Sequence, residues 1–233
     1  GAFRGVLTIV TERKWTLGVW LGGIACLLVL VLPVGSPEWV AIVRGSSILA
    51  MVVCLWAVCR MPRGTRGVWW GLWVFQALTV AGDVVYDVLM YHYQQEPFPS
   101  VADVLYLASY VAVIIALVLL VRQAGRNRET WVDTAVMTLA AGCVVATVVI
   151  WPMLTDSAAT EPTTIIALAY PLLDMVVLSV LIRLLVDVQR LSPALGLLTL
   201  SVAFTLTADL VFNSLVAQGI VEEAPVWVEV LYF

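Results

Sequence analysis

The chain has little to do chemistry with in the usual sense: a single lysine, Lys14, and a single histidine, His92, occur among its 233 residues. Lys14 precedes the first apolar run, so no amine within the apolar part can form a retinal Schiff base. One histidine excludes a bis-His haem and a multi-His zinc site, and its place after an apolar run reads as a solvated interfacial residue. Charge is scarce as well, at 12% of residues against 62% hydrophobic, with a mean hydropathy of +1.02. A typical soluble domain carries roughly 25% charged residues, so a water-soluble globule is excluded. The 12 Lys and Arg against 16 Asp and Glu leave a net charge of −4, which offers no basic surface for nucleic acid. Cys26, Cys54, Cys59 and Cys143 lie in apolar runs without metal-ligand or disulfide spacing and read as small core hydrophobes. No glycine-rich phosphate loop follows a strand and no nucleophile elbow is present, so catalysis within this chain is not expected.

What is present is a succession of long apolar runs. A bilayer core of about 30 Å takes roughly 20 apolar residues per helix. Seven complete spans are expected, at about Trp15–Val34, Glu38–Cys59, Val68–Tyr91, Ser100–Val121, Trp131–Met153, Thr163–Leu185 and Pro193–Ala217. An eighth starts near Pro225 and stops at Phe233, so the sequence is expected to be a fragment of a longer protein. The first 14 residues are charged and lack a small-residue cleavage site, which argues against a cleavable signal peptide. The fold class expected is an all-α integral membrane protein, a single domain over 1–233.

Cytoplasmic loops collect Lys and Arg. Arg4, Arg13 and Lys14 precede span one, Arg60, Arg63 and Arg66 follow span two, Arg122, Arg126 and Arg128 follow span four, and Arg183 and Arg190 flank the break after span six. The alternate breaks carry Glu38, Glu96, Asp156, Glu161, Glu222 and Glu223. A cytoplasmic N-terminus follows. Single cysteines placed at Arg126 and Glu161 in a cysteine-free background test it: an impermeant thiol reagent should label position 161 in intact cells and leave position 126 untouched, and the reverse pattern inverts the topology. Seven of the ten tryptophans, Trp15, Trp39, Trp69, Trp70, Trp131, Trp151 and Trp227, fall near span ends, where indole anchors at the headgroups.

Sliding the chain on itself by 126 residues aligns 81–107 with 207–233 without a gap. Asp83 meets Asp209, Glu96 meets Glu222, Pro99 meets Pro225, and Val104-Leu105-Tyr106 meets Val230-Leu231-Tyr232; Tyr86 pairs with Phe212, Asp87 with Asn213 and Asp103 with Glu229. An eight-helix bundle with its eighth helix truncated is therefore expected, built from two parallel four-helix repeats, about 1–122 and about 123–233, related by a pseudo-two-fold axis along the membrane normal.

Ionisable groups inside spans are costly, and each is a functional candidate. From the span ends, Asp174 falls near mid-membrane, Asp83, Asp209 and Arg44 in the outer half, and Asp87, Asp103 and Glu229 nearer the outer surface, with Asp133 alone on the inner side. Helical spacing makes stripes of Asp83, Tyr86 and Asp87, of Asp103, Tyr106 and Tyr110, and of Asp209, Phe212 and Asn213. If they converge, one cation, Arg44, meets six carboxyls, and that many anions at low dielectric need protonation or a bound cation. The candidate ligand-binding set is Arg44, Asp83, Tyr86, Asp87, Asp103, Tyr106, Asp174, Asp209, Asn213 and Glu229, lining a pocket open to the outside, with no cofactor expected beyond a bound cation. The competing reading makes the same acids structural hydrogen-bonding groups between helices.

Ala81-Gly82-Asp83 with Tyr86, then Pro97-Phe98-Pro99-Ser100-Val101-Ala102-Asp103-Val104-Leu105-Tyr106-Leu107 and Tyr110, resembles the GD…Y…PFPSxADxxYLxxY pattern of N-terminal membrane regions in bacterial, especially actinobacterial, signalling proteins. Those regions commonly precede cytoplasmic GGDEF and EAL domains that make or degrade cyclic di-GMP. The second copy departs from the pattern at Phe212, Asn213 and Val228-Glu229, and no GGDEF or EAL sequence occurs in the chain. The resemblance implies a sensory or regulatory input module in a bacterial plasma membrane whose partners are the lipid bilayer, an external small molecule or cation and a cytoplasmic output domain, with a homodimer left open. Two other readings compete: a cation- or proton-coupled transporter or channel, weakened by the scarcity of inner-half acids, and an intramembrane lipid hydrolase using aspartates and a metal, weakened by the lack of histidines.

Overall fold

In the computed structural model, residues 36–61, 66–93, 99–124, 130–151, 154, 162–187 and 193–217 are described. Among the described residues six α-helices run in chain order: α1 Pro37–Arg60, α2 Arg66–Asp87, α3 Val101–Ala124, α4 Thr130–Val145, α5 Pro162–Asp187 and α6 Pro193–Ala217. No strand occurs among the described residues. Helices alone suit such a sequence, because lipid offers nothing to bond a free backbone group. Five of the helices contain stretches long and apolar enough to cross a bilayer: Glu38–Arg60, Arg66–Met90, Val101–Gln123, Thr164–Val186 and Leu195–Phe212. The expected fifth span, Trp131–Met153, yields a shorter apolar helix, Thr134–Ile150. The expected first span and the start of the eighth lie outside the described residues, as does most of the second half of the aligned repeat.

Local chemistry sets the ends. Ser36 caps α1, its hydroxyl accepting from the Trp39 N–H at 3.2 Å, with Pro37 at the first helical position where a missing N–H costs nothing. Ser100 and Asp103 form a reciprocal cap at the start of α3: the Ala102 N–H donates to Ser100 Oγ at 3.1 Å, and the Ser100 N–H donates to Asp103 Oδ2 at 2.7 Å. Two helices end in wider π-turns, α2 through Val88–His92 and α4 through Ala146–Ile150.

α2 lies against α3 over most of its length, α3 and α5 form the middle of the assembly, α1 flanks α2, and α4 and α6 flank α5. Close approach of α2 and α3 depends on small residues. Gly71 and Gly82 share a face of α2, and an added Cβ would stand 3.0 Å from Ala116 Cβ at the first and 2.7 Å from Tyr106 Cε1 at the second. On α3 the buried small residues Ala102, Ser109 and Ala116 recur every seven positions. A core of Val113 and Leu117 from α3, Val177 and Leu184 from α5 and Leu195 from α6 fills the centre. Large apolar side chains outside it stay exposed, Leu139 at 69% and Val132 at 67% among them, the pattern of helices whose outer faces meet lipid. Arg183, expected near the end of the sixth span beside the break that follows, is buried at 6% exposure within α5, which continues to Asp187.

Candidate functional site

The intramembrane acids gather on three sets of partners, and α3 contributes to each. The first set joins α1, α2 and α3. Arg44 grips Asp87 through two parallel bonds, Nε to Oδ2 at 2.6 Å and Nη2 to Oδ1 at 2.9 Å, and its Nη1 reaches Asp83 Oδ2 at 2.9 Å. A planar guanidinium has enough donors for both carboxylates at once, which an ammonium could not match in geometry. Asp83 and Asp87 stand one turn apart on α2, so both face the same arginine. The other oxygen of Asp83 accepts from the Tyr106 hydroxyl at 2.8 Å. Gly82 matters here: the Tyr106 ring lies over it on the way to Asp83.

The second set ties α3 to α5. Tyr170 donates to Asp103 Oδ1 at 2.7 Å, while Oδ2 of the same carboxylate is occupied by the Ser100 cap, by N–H at 2.7 Å and by Oγ–H at 3.3 Å. Asp103 is 7% exposed, and both its oxygens have partners. Its burial is thus compensated by three donors, one on a neighbouring helix.

The third set joins α3, α5 and α6. The Tyr110 hydroxyl lies 2.7 Å from Asp174 Oδ1 and 3.2 Å from Asp209 Oδ2, so the two carboxyls meet at one hydroxyl. A phenol has one proton to donate, so it serves one carboxyl fully at a time. Two carboxylates this close repel unless a proton or a cation lies between them. Asp174 is 5% exposed and sits half-way along α5. The second and third sets touch through the rings of Tyr110 and Tyr170, edge to face with centroids 6.2 Å apart.

A cleft of about 350 Å³ opens beside the third set, between α4, α5 and α6. Its walls are almost entirely apolar, with Asp174 as the acid in the lining.

The stripes read from the sequence are therefore divided. Asp83 and Asp87 act together on Arg44, and Tyr86 of the same stripe is 40% exposed. Asp103 and Tyr110 both face α5, whereas Tyr106 faces α2. Asp209 joins Asp174 through Tyr110 rather than Arg44. Asn213 lies on α6 with its side chain outside the described residues, and Glu229 lies outside them altogether. Instead of one ring of carboxyls about a single space, the described acids form three neighbouring clusters, and Arg44 meets two acids, not six. His92 is exposed and packs its ring edge against Tyr93, 5.1 Å between centroids. Tyr170 and Ser100 were not singled out from the sequence as partners. Tyr170 stands four residues before Asp174, the same one-turn spacing along a helix face as Asp83 and Asp87, which is the signal the sequence offers. Among the described residues no group of three His, Cys, Asp or Glu is arranged to hold a metal ion. No protein-family model, curated protein or solved structure matches the chain.

Proposed function

We propose that this chain is a membrane-embedded sensory or regulatory input module, in which an external cation, or a small molecule bearing a cation or hydroxyls, changes helix packing and so controls a cytoplasmic C-terminal signalling domain. The observation that carries the reading is that each buried acid–phenol bond crosses between helices: α2 to α3 through Asp83 and Tyr106, α3 to α5 through Asp103 and Tyr170, and α3 to α5 and α6 through Tyr110. A ligand that competes for any of these carboxyls changes which helix α3 is tied to. Tyr110 is the best placed of them, since one proton divided between two helices gives two arrangements of similar content. The resemblance of the Asp83 to Tyr110 stretch to signalling proteins supports the same reading, and the parallel repeat would give the second helix group an equivalent response.

A transporter remains the second reading, favoured by one observation: Asp174 sits at mid-helix beside a cleft. The two are separated by joining the chain to a GGDEF reporter domain and measuring cyclic di-GMP in cells given a panel of external cations and polyamines. Signalling requires a dose-dependent change in product that Tyr110→Phe shifts by several-fold. An unresponsive reporter, together with proton or cation flux in vesicles carrying the chain, replaces the sensor with a transporter.

A further inference from the structure

The cleft between α4, α5 and α6 differs from the polar clusters in what surrounds it. Val145 and Val149 from α4 and its π-turn, Met175 and Leu178 from α5 and Leu206 from α6 line it. It reaches the flank of the bundle, because Val144 in its wall is 52% exposed and Ala203 and Thr207 are exposed too. A void of about 350 Å³ falls at the low end of the roughly 300–1,000 Å³ typical of ligand pockets. Its described polar groups are few and accept rather than donate. Asp174 contributes a carboxyl that already faces a second carboxyl, Asp209, with a single phenol between them. The Thr207 hydroxyl spends its proton on the Ala203 carbonyl at 2.7 Å and presents lone pairs. Pro171, also in the wall, has no N–H, which withdraws the helical donor from the Ala167 carbonyl one turn earlier.

The geometry points to a binding site for a small cationic amphiphile, with an alkyl or ring body in the cleft between α4, α5 and α6 and a primary ammonium head at Asp174. The apolar walls select the body. Charge complementarity selects the head: an ammonium brings a positive charge to Asp174 and donors to a cleft whose described polar groups accept. An anionic amphiphile meets the same carboxyls with repulsion, and a neutral alcohol offers one donor and no charge. Binding draws Asp174 toward the ammonium and leaves the Tyr110 proton to Asp209, so occupancy of the flank alters the tie between α3 and α5. This goes beyond the signalling reading, because binding is measured on this chain without an output domain.

The test uses the chain in lipid nanodiscs with decylamine as probe, a diazirine-bearing decylamine for mapping, and decanol and decanoate as comparators. Decylamine should compete saturably with the photoprobe, and the photoprobe should label Met175 or Leu206. Decanol should compete at least tenfold more weakly and decanoate not at all. Asp174→Asn should weaken decylamine at least tenfold. Ala203→Phe, at an exposed cleft position away from the carboxyls, should abolish saturable labelling in protein with an unchanged thermal midpoint, and this variant decides the matter if Asp174→Asn does not fold. Labelling spread evenly over lipid-facing positions, decanoate competing as well as decylamine, or saturable labelling that survives Ala203→Phe overturns the proposal.

Discussion

Arg44→Ala is expected to destabilise the bundle by about 3 kcal/mol, read as a lowered thermal midpoint in the same lipid, because removing one partner of a partly buried ion pair strands the others. Here two carboxylates are stranded together, Asp83 and Asp87, one turn apart and each about 20% exposed. The loss extends to α3, since Asp83 also holds Tyr106. Arg44→Lys should recover only part of the stability: an ammonium restores charge but not the two parallel bonds to Asp87 together with the third to Asp83. The variant combining Arg44→Met, Asp83→Asn and Asp87→Asn should recover more than Arg44→Ala alone, because it removes the stranded charges along with their partner. A midpoint for Arg44→Ala equal to that of the parent would mean that water, not the arginine, solvates these acids.

The second large effect is expected at Gly82. Alanine normally favours a helix over glycine by up to about 1 kcal/mol. At Gly82 the sign reverses, because the new Cβ would stand 2.7 Å from Cε1 and 2.9 Å from Cδ1 of Tyr106. The ring cannot simply swing aside, as its hydroxyl is held by Asp83 on the following residue of the same helix. Gly82→Ala should therefore cost about 1–3 kcal/mol, the range for overpacking a filled interface. Gly45→Ala and Gly142→Ala are the controls, with nothing within 4 Å of the added carbon, and should be neutral or slightly stabilising. Adding Tyr106→Phe to Gly82→Ala should restore part of the loss by freeing the ring. A neutral Gly82→Ala would show that α2 and α3 separate without penalty.

The position of the polar residues along the helices was open to reading from spacing and hydropathy, and their rotation about the helix axes was not. Arg44, Asp83 and Asp209 were expected at similar outer depth, with Asp87 nearer the surface, so depth offered Asp83 or Asp209 as the partner of Arg44 without choosing between them, and the structure pairs Arg44 with Asp83. The addition of Asp87, one turn beyond Asp83 on the same face, depended on how α2 is rotated against α1. Likewise Asp103, Tyr106 and Tyr110 share a broad stripe, but at about 100° per residue Asp103 and Tyr110 nearly coincide while Tyr106 lies about 60° away. That angle sends Tyr106 to α2 and the other two to α5.

The sequence by itself determined that the chain makes long apolar helices and where most of those described begin and end. It also determined that acids and phenols would be confined to part of their length, because the lipid-compatible length and the expense of charge in hydrocarbon are written residue by residue. Only the tertiary structure decided which acid each phenol serves, that Tyr110 stands between Asp174 and Asp209, and that the outer acids divide among three clusters beside an apolar cleft. The reason is that these helices are apolar nearly all round, so hydrophobicity does not say which face turns inward. That choice was left to the close contacts of Gly71 with Ala116 and of Gly82 with Tyr106, which involve residues about 45 and 24 positions apart and exist only once α2 and α3 have packed.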